Sequence, residues 1–189
     1  MTAAQPLEGK VVVVGVTGGI AAFKAASLVS TLRKGGADVY VLMSPSATEF
    51  IGPLTLRTLS AHPVVTDMWD PRNPWDEPHV YLGERADAYV IAPATAHTIA
   101  RLALGLADDV ITATALATRA PVLIAPAMSD VMYQQTTVQE HLRTLRSRGY
   151  RIVGPVVGWL ASGKEAIGRM AEPDAIVEEI RSALAERRA

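Results

Sequence analysis

Four short segments combine hydroxyls, glycines and small side chains directly after apolar runs. They are Thr17-Gly18-Gly19, Ser44-Pro45-Ser46, Pro93-Ala94-Thr95-Ala96-His97-Thr98 and Pro126-Ala127-Met128-Ser129-Asp130. Backbone N–H groups and hydroxyls can approach a phosphate or a planar ring where side chains are this small. The first segment, read from Gly15, is Gly-x-x-Gly-Gly, which is neither the dinucleotide Gly-x-Gly-x-x-Gly nor a P-loop. By itself it equally suits tight packing of a strand against a helix. Ser44 and Ser46 could hold a ligand or only cap a helix.

Of the four histidines, none forms a metal-type pair such as His-Glu-x-x-His, so metal catalysis is not expected. His141 lies in a basic helix and is expected to be solvated, and His62 precedes a proline in a turn. His79 follows the segment Asp67 to Pro78, with its prolines and two tryptophans, and could be an acid or base at a pocket edge or serve the fold. The tryptophans could pack on a neighbouring subunit, on a peptide, or in the core. The chain has no cysteine, which removes disulfides, thiolate-bound zinc, iron–sulfur clusters and a thiol nucleophile.

The elements that position these segments are legible as alternating strands and helices. Val11 to Val16 is a β-branched run suited to a strand covered on both faces, followed by a helix from Ile20 to Lys34 and a strand Val39 to Met43. The pattern recurs as strand Ala88 to Ile91 with helix Ala96 to Ala103, then strand Val122 to Ala125 with helix Val138 to Arg148. A short strand at Ile152-Val153 and a helix Asp174 to Arg188, begun by Pro173, close the chain. An α/β fold follows, with a mostly parallel sheet and helices on both faces. In such a sheet ligands bind beyond the carboxyl ends of the strands, where all four segments fall. Met1 to Gly9 is expected to be a loose leader, residues 10–189 a single domain, and Gly154 to Glu172 a mobile cover. A net charge of −1 gives no electrostatic case for nucleic acid or an anionic membrane, and no apolar run spans a bilayer, so the expected location is cytoplasmic.

Six motifs occur in order: Gly15 to Lys24, His79-Val80-Tyr81-Leu82, Pro93 to Thr98, Ala107-Asp108-Asp109, Pro126 to Tyr133, and Gly168-Arg169-Met170-Ala171-Glu172-Pro173. Together they resemble the homo-oligomeric flavin-containing cysteine decarboxylases, which include phosphopantothenoylcysteine decarboxylase and peptidyl-cysteine decarboxylases. The resemblance implies a Rossmann-like, flavodoxin-type three-layer subunit that binds FMN. It also implies a trimer, or a dodecamer of trimers, with the site at a subunit interface. Carried over by position, Gly18, Gly19, Ile20, Ser44, Ser46, Pro93, Ala94, Thr95, His97, Thr98, Ala127 and Met128 would hold FMN. His79 would be catalytic, and Met128, Ser129, Met132, Ser162 and Arg169 would meet the substrate.

The chain departs from that family at four of these positions. His97 stands where the family has Asn, Ser129 where an Asn grips the substrate carboxylate, Tyr133 where there is Trp, and Ser162 where the coenzyme A enzymes have a flap cysteine. His97, Lys164 or Arg169 could take over the carboxylate, Arg169 having the better geometry. In the chemistry the resemblance implies, oxidation of the carbon bearing sulfur gives a thioaldehyde β to the carboxylate, which accepts electrons as CO2 leaves. An enethiol results, and a saturated thiol requires a further proton donor. A serine hydroxyl is a weak acid for that role. The expectation is therefore an oxidative decarboxylase acting on the C-terminal cysteine of a precursor peptide, forming an aminoenethiol for an aminovinyl-cysteine ring. The alternatives are phosphopantothenoylcysteine decarboxylase and a flavin-binding regulatory member without turnover.

Overall fold

The computed structural model describes residues 7–187. Six strands form one sheet: β1 (Val11–Val16), β2 (Asp38–Met43), β3 (Val64–Val65), β4 (Ala88–Ala94), β5 (Val122–Pro126) and β6 (Arg151–Ile152). Their order is β3-β2-β1-β4-β5-β6 and every neighbouring pair is parallel. The β-branched run of β1 suits this central place, with Val12, Val13 and Val14 fully buried between two layers of helices.

One face carries α1 (Phe23–Lys34), α2 (Pro53–Ser60) and α8 (Pro173–Glu186), which enclose Leu28, Leu32, Leu56, Ile176 and Ile180. The other carries α3 (Pro78–Arg85), α4 (Ala96–Leu104), α5 (Val110–Ala117) and α7 (Thr136–Ser147), around Leu82, Ile99, Ile111, Leu142 and Leu145. A short α6 (Asp130–Gln134) follows β5. This is the expected three-layer α/β architecture. The helix expected from Ile20 begins as a 3-10 turn over Ile20–Ala22 before α1.

Several expectations need correction. Residues 1–6 of the expected leader and Arg188 of the closing helix lie outside the described residues. Leu7, also placed in the leader, is only 1% exposed because it packs into the core beside Gly35, so it belongs to the packed fold. The expected cover contains a regular antiparallel hairpin of β7 (Val156–Trp159) and β8 (Glu165–Arg169). His141 is not solvated. It shares the i,i+4 face of buried Leu145, and both its ring nitrogens are buried with no hydrogen-bond partner. The two tryptophans differ in their surroundings. Trp75 stacks on Tyr81 at 4.8 Å and meets Tyr40 edge-on, whereas Trp69 is 79% exposed.

Candidate functional site

The sheet order reverses between β1 and β4, and loops that leave their carboxyl ends diverge there to open a crevice. A cavity of about 660 Å³ lies at this point. It is lined by Gly18 from the loop after β1, Ser44, Pro45 and Ser46 after β2, and Thr95 to Thr98 after β4. Arg101, Asp108, Asp109 and Met132 complete it.

Each loop has a local reason for its shape. Ser44 caps the 3-10 turn Pro45–Glu49 by accepting from Ala47 N–H, while its Oγ lies 3.0 Å from that of Ser46. A Cβ on Gly18 would lie 2.5 Å from Ser46 Cβ and 2.8 Å from its carbonyl carbon, so only glycine lets these two loops approach so closely. Thr95 caps α4, accepting from Thr98 N–H. Thr17, 2% exposed, joins two of the loops. Its hydroxyl donates to Pro93 O at 2.8 Å and accepts from Thr95 N–H at 3.1 Å. Asp109 caps α5 through Thr112 N–H and also binds Arg101.

The structure thus brings together Gly18, Ser44, Ser46, Thr95, His97, Thr98 and Met132 of the expected residues, with Gly19 beside Thr95. Pro93 and Ala94 do not line the cavity. They are buried at the end of β4, where their carbonyls accept from Thr17 and from Ala127 N–H, so they shape the loops from behind. Ile20, 62% exposed, and Ala127 also lie outside the lining. Arg101, Asp108 and Asp109 were not assigned a role from sequence. The signal for them was Arg101 one turn after His97, and Asp109 in an N-cap position.

The expected substrate residues form a second group beside this cavity. Gly168 of β8 lies so close to the Met128 carbonyl that a Cβ there would collide with it, and Met128 N–H donates to Gly168 O at 3.0 Å. Lys164 reaches back from β7–β8 to Asp130 Oδ2 at 2.8 Å, and this bond holds the Asp130 carboxyl below its ordinary range. Ser129 caps α6 through Met132 N–H. Arg169 pairs with Glu172 at 2.7 Å and Glu172 in turn with the buried Lys24 at 2.9 Å, so within one chain Lys164 and Arg169 each already have a carboxylate partner. Ser162 is exposed in the turn at the hairpin tip. His79 sits in the first turn of α3 with Nδ1 buried and without a hydrogen-bond partner, and it is not among the residues lining the cavity of a single chain. Among the described residues no group of three or more His, Cys, Asp or Glu side chains could hold a metal, and no helix is long and apolar enough to cross a membrane.

The cavity can take a flat cofactor with a phosphate. Its volume suffices, and hydroxyls, a glycine backbone and the N-terminus of α4 converge at one end. Comparison with known proteins agrees. The chain is 46% identical, over 95% of its length, to the coenzyme A biosynthesis bifunctional protein CoaBC of Haemophilus influenzae, and it spans 44% of that relative's length. A cysteine-to-serine variant of a PPC decarboxylase, complexed with pantothenoylaminoethenethiol, superposes with a TM-score of 0.83 at 31% identity, covering 92% of this chain and 97% of that one. The FMN-dependent cysteine decarboxylase SpaF gives 0.82 at 34%, covering 97% and 99%. These findings overturn the expected peptide substrate. That expectation rested on Ser162, one exposed residue at a hairpin tip, whereas the identity of 46% over 95% of the chain is to a coenzyme A biosynthesis protein. The flavoprotein family model matches residues 1–185, and the chain belongs to that family.

Proposed function

We propose that this chain is an FMN-dependent decarboxylase acting on the cysteine carboxylate of phosphopantothenoylcysteine, a step of coenzyme A biosynthesis. The observation that carries this reading is the identity of 46% to CoaBC over nearly the whole chain, supported by likeness to the PPC decarboxylase structure. The chain is less than half the length of the CoaBC relatives, so the reading concerns only the activity of this domain.

FMN supplies, when bound, a two-electron oxidant for the carbon bearing sulfur. The backbone at Gly18 and Gly19, the Ser44 and Ser46 hydroxyls and the first amides of α4 would hold its phosphate. The Met128–Ser129 loop, locked to β8 through Gly168, positions the cysteine end of the substrate. The Lys164–Asp130 bond ties the hairpin to the start of α6, beside that loop. His79 serves as acid or base. Its place outside the single-chain cavity, and exposed apolar side chains such as Ile20 in the 3-10 turn and Phe23 at the start of α1, favour a homo-oligomer that completes the site between copies.

The test is incubation of the FMN-loaded protein with 4′-phosphopantothenoylcysteine under mass spectrometry. Loss of CO2 from the substrate is expected, and an unchanged substrate mass overturns the reading.

A further inference from the structure

An imidazole that serves as acid or base is ordinarily oriented by a hydrogen bond on its second nitrogen, yet Nδ1 of His79 is buried with no partner. The direction of the ring must then come from the backbone that carries it, the first turn of α3. Glu77 stands at the N-cap of that turn without a side-chain bond, and only its carbonyl takes part, accepting from Val80 and Tyr81 N–H. The chain arrives there through residues 66–77, which contain no helix or strand. Hydrogen bonds among residues 67–73 close back on the segment itself and leave its entry into α3 unfixed.

A hydrophobic staple fixes such an entry when the residue before the N-cap packs on the fourth helical residue. Here Trp75, two positions before the N-cap, meets Tyr81, the fourth residue of α3. Their rings stack with centroids 4.8 Å apart and 18° between planes. Trp75 also meets Tyr40 of β2 edge-on at 5.8 Å, and Tyr40 is only 7% exposed, so the stack is tied to the sheet. On the helix itself Arg85, one turn on, sets its guanidinium 5.1 Å from the centre of the Tyr81 ring. His79 lies in sequence between the two stacked residues, so closing the stack fixes the short arc of chain that carries it. We propose that Trp75 is a positioning residue: its stack on Tyr81 sets the direction of the His79 imidazole and thereby the rate of turnover. The proposal rests on the reading of His79 as acid or base above. A displacement of about 1 Å at a reacting group can cost about 100-fold in rate, so one ring is a sufficient lever.

The test compares the FMN-loaded full chain with Trp75→Leu, which keeps an apolar side chain and loses the flat ring, and with Trp75→Phe, which keeps a ring. Two quantities are read well below the melting temperature. One is the initial rate with 4′-phosphopantothenoylcysteine. The other is the ring resonance of His79 by NMR in protein carrying isotope-labelled histidine, assigned by its absence from His79→Asn. Trp75→Leu should lower kcat about tenfold or more, with KM and FMN retention near wild type, and should shift or split the His79 resonance. Trp75→Phe should restore most of both. Tyr81→Leu removes the stack from the helix side, should match Trp75→Leu, and stands in for it if that variant does not fold. A wild-type kcat, or an unmoved resonance, in a folded leucine variant overturns the proposal. So does an equal defect in Trp75→Phe, and so does a fall in kcat matched by loss of FMN or a rise in KM, which is a general loosening of the site. A wild type that leaves the substrate unchanged refutes the function proposed above, and the His79 resonance then still decides whether the stack orients the ring.

Discussion

Replacing Thr17 by valine keeps the shape of the side chain and deletes one hydroxyl that touches two loops. In the wild type that hydroxyl gives Pro93 O a bond of 2.8 Å and receives Thr95 N–H at 3.1 Å. Pro93 O retains a backbone bond from Thr17 N at 3.3 Å, so its loss is partial. Thr95 N–H loses its acceptor. A lost hydrogen bond costs about 1 kcal/mol and a stranded donor about 1 to 3 more, which sums to about 2 to 4 kcal/mol. For a chain of this size that lowers the midpoint of thermal unfolding by about 5 to 15 °C. Because Thr95 heads α4, the same change frees the helix end that faces the cofactor, and FMN affinity should fall with it. Thr17→Ser restores both bonds and should recover most of each loss. Circular dichroism melts and flavin release on dilution measure the two effects. A Thr17→Val protein with wild-type melting and wild-type FMN retention would refute the reasoning, since the two loops would then be held by something other than this hydroxyl.

Other perturbations test neighbouring parts of the argument. Gly18→Ala forces a Cβ against the backbone of Ser46, which should cost about 1 to 3 kcal/mol and weaken FMN retention; retention equal to wild type would show that the two loops can part freely. Gly168→Ala puts a methyl group into the Met128 carbonyl at a φ of +135°, and KM for the cysteine substrate should rise about tenfold or more, read from initial rates. At Asp87 burial raises the carboxyl pKa, but bonds from Lys10 Nζ and Val11 N–H, each 2.9 Å, outweigh it and hold the group below its ordinary range. Its stabilising contribution is therefore complete above the ordinary aspartate value of about 4 and is lost as pH falls through the lowered one, so Asp87→Asn should flatten the acid limb of a stability profile. Ser162→Cys places a stronger acid at the hairpin tip and should raise the ratio of saturated thiol to aminoenethiol product about tenfold, by mass spectrometry; an unchanged ratio would show that the tip delivers no proton.

What could be read from sequence follows from how each element is held. β1 and β4 are buried on both faces, so their apolar runs are uninterrupted and announce themselves, and α4 and α7 present one wet face and so keep a helical period. α5 has no such period because Val110 to Ala115 are buried all round, between the sheet and α3, where Gly83 lets Ala117 approach to 3.0 Å of a would-be Cβ. α2 and α3 open on Pro53 and Pro78. Proline stops a helix from within but starts one at its first position, and sequence alone does not say which side of the proline the helix lies on. The hairpin β7–β8 leaves Val157 and Trp159 exposed, so its strands lack the alternation that burial on one face would impose.

The site divides along the same line. Residues that line the cavity through their own loop, such as Gly18, Ser44 and His97, follow strands whose ends the sequence marks, and the rule for parallel sheets then places them. Residues that act through a partner elsewhere in the chain carry no such mark. Thr17 meets Pro93 across 76 positions, Lys164 meets Asp130 across 34, and Lys24 meets Glu172 across 148. Arg169 shows the consequence. Its guanidinium suits a carboxylate in general, and from sequence that favoured a substrate role, yet Glu172, three residues on and bound across 148 positions by Lys24, gives it a carboxylate of its own. A side chain's chemistry is therefore readable from its type, but its availability is decided by which distant segment the sheet order brings beside it.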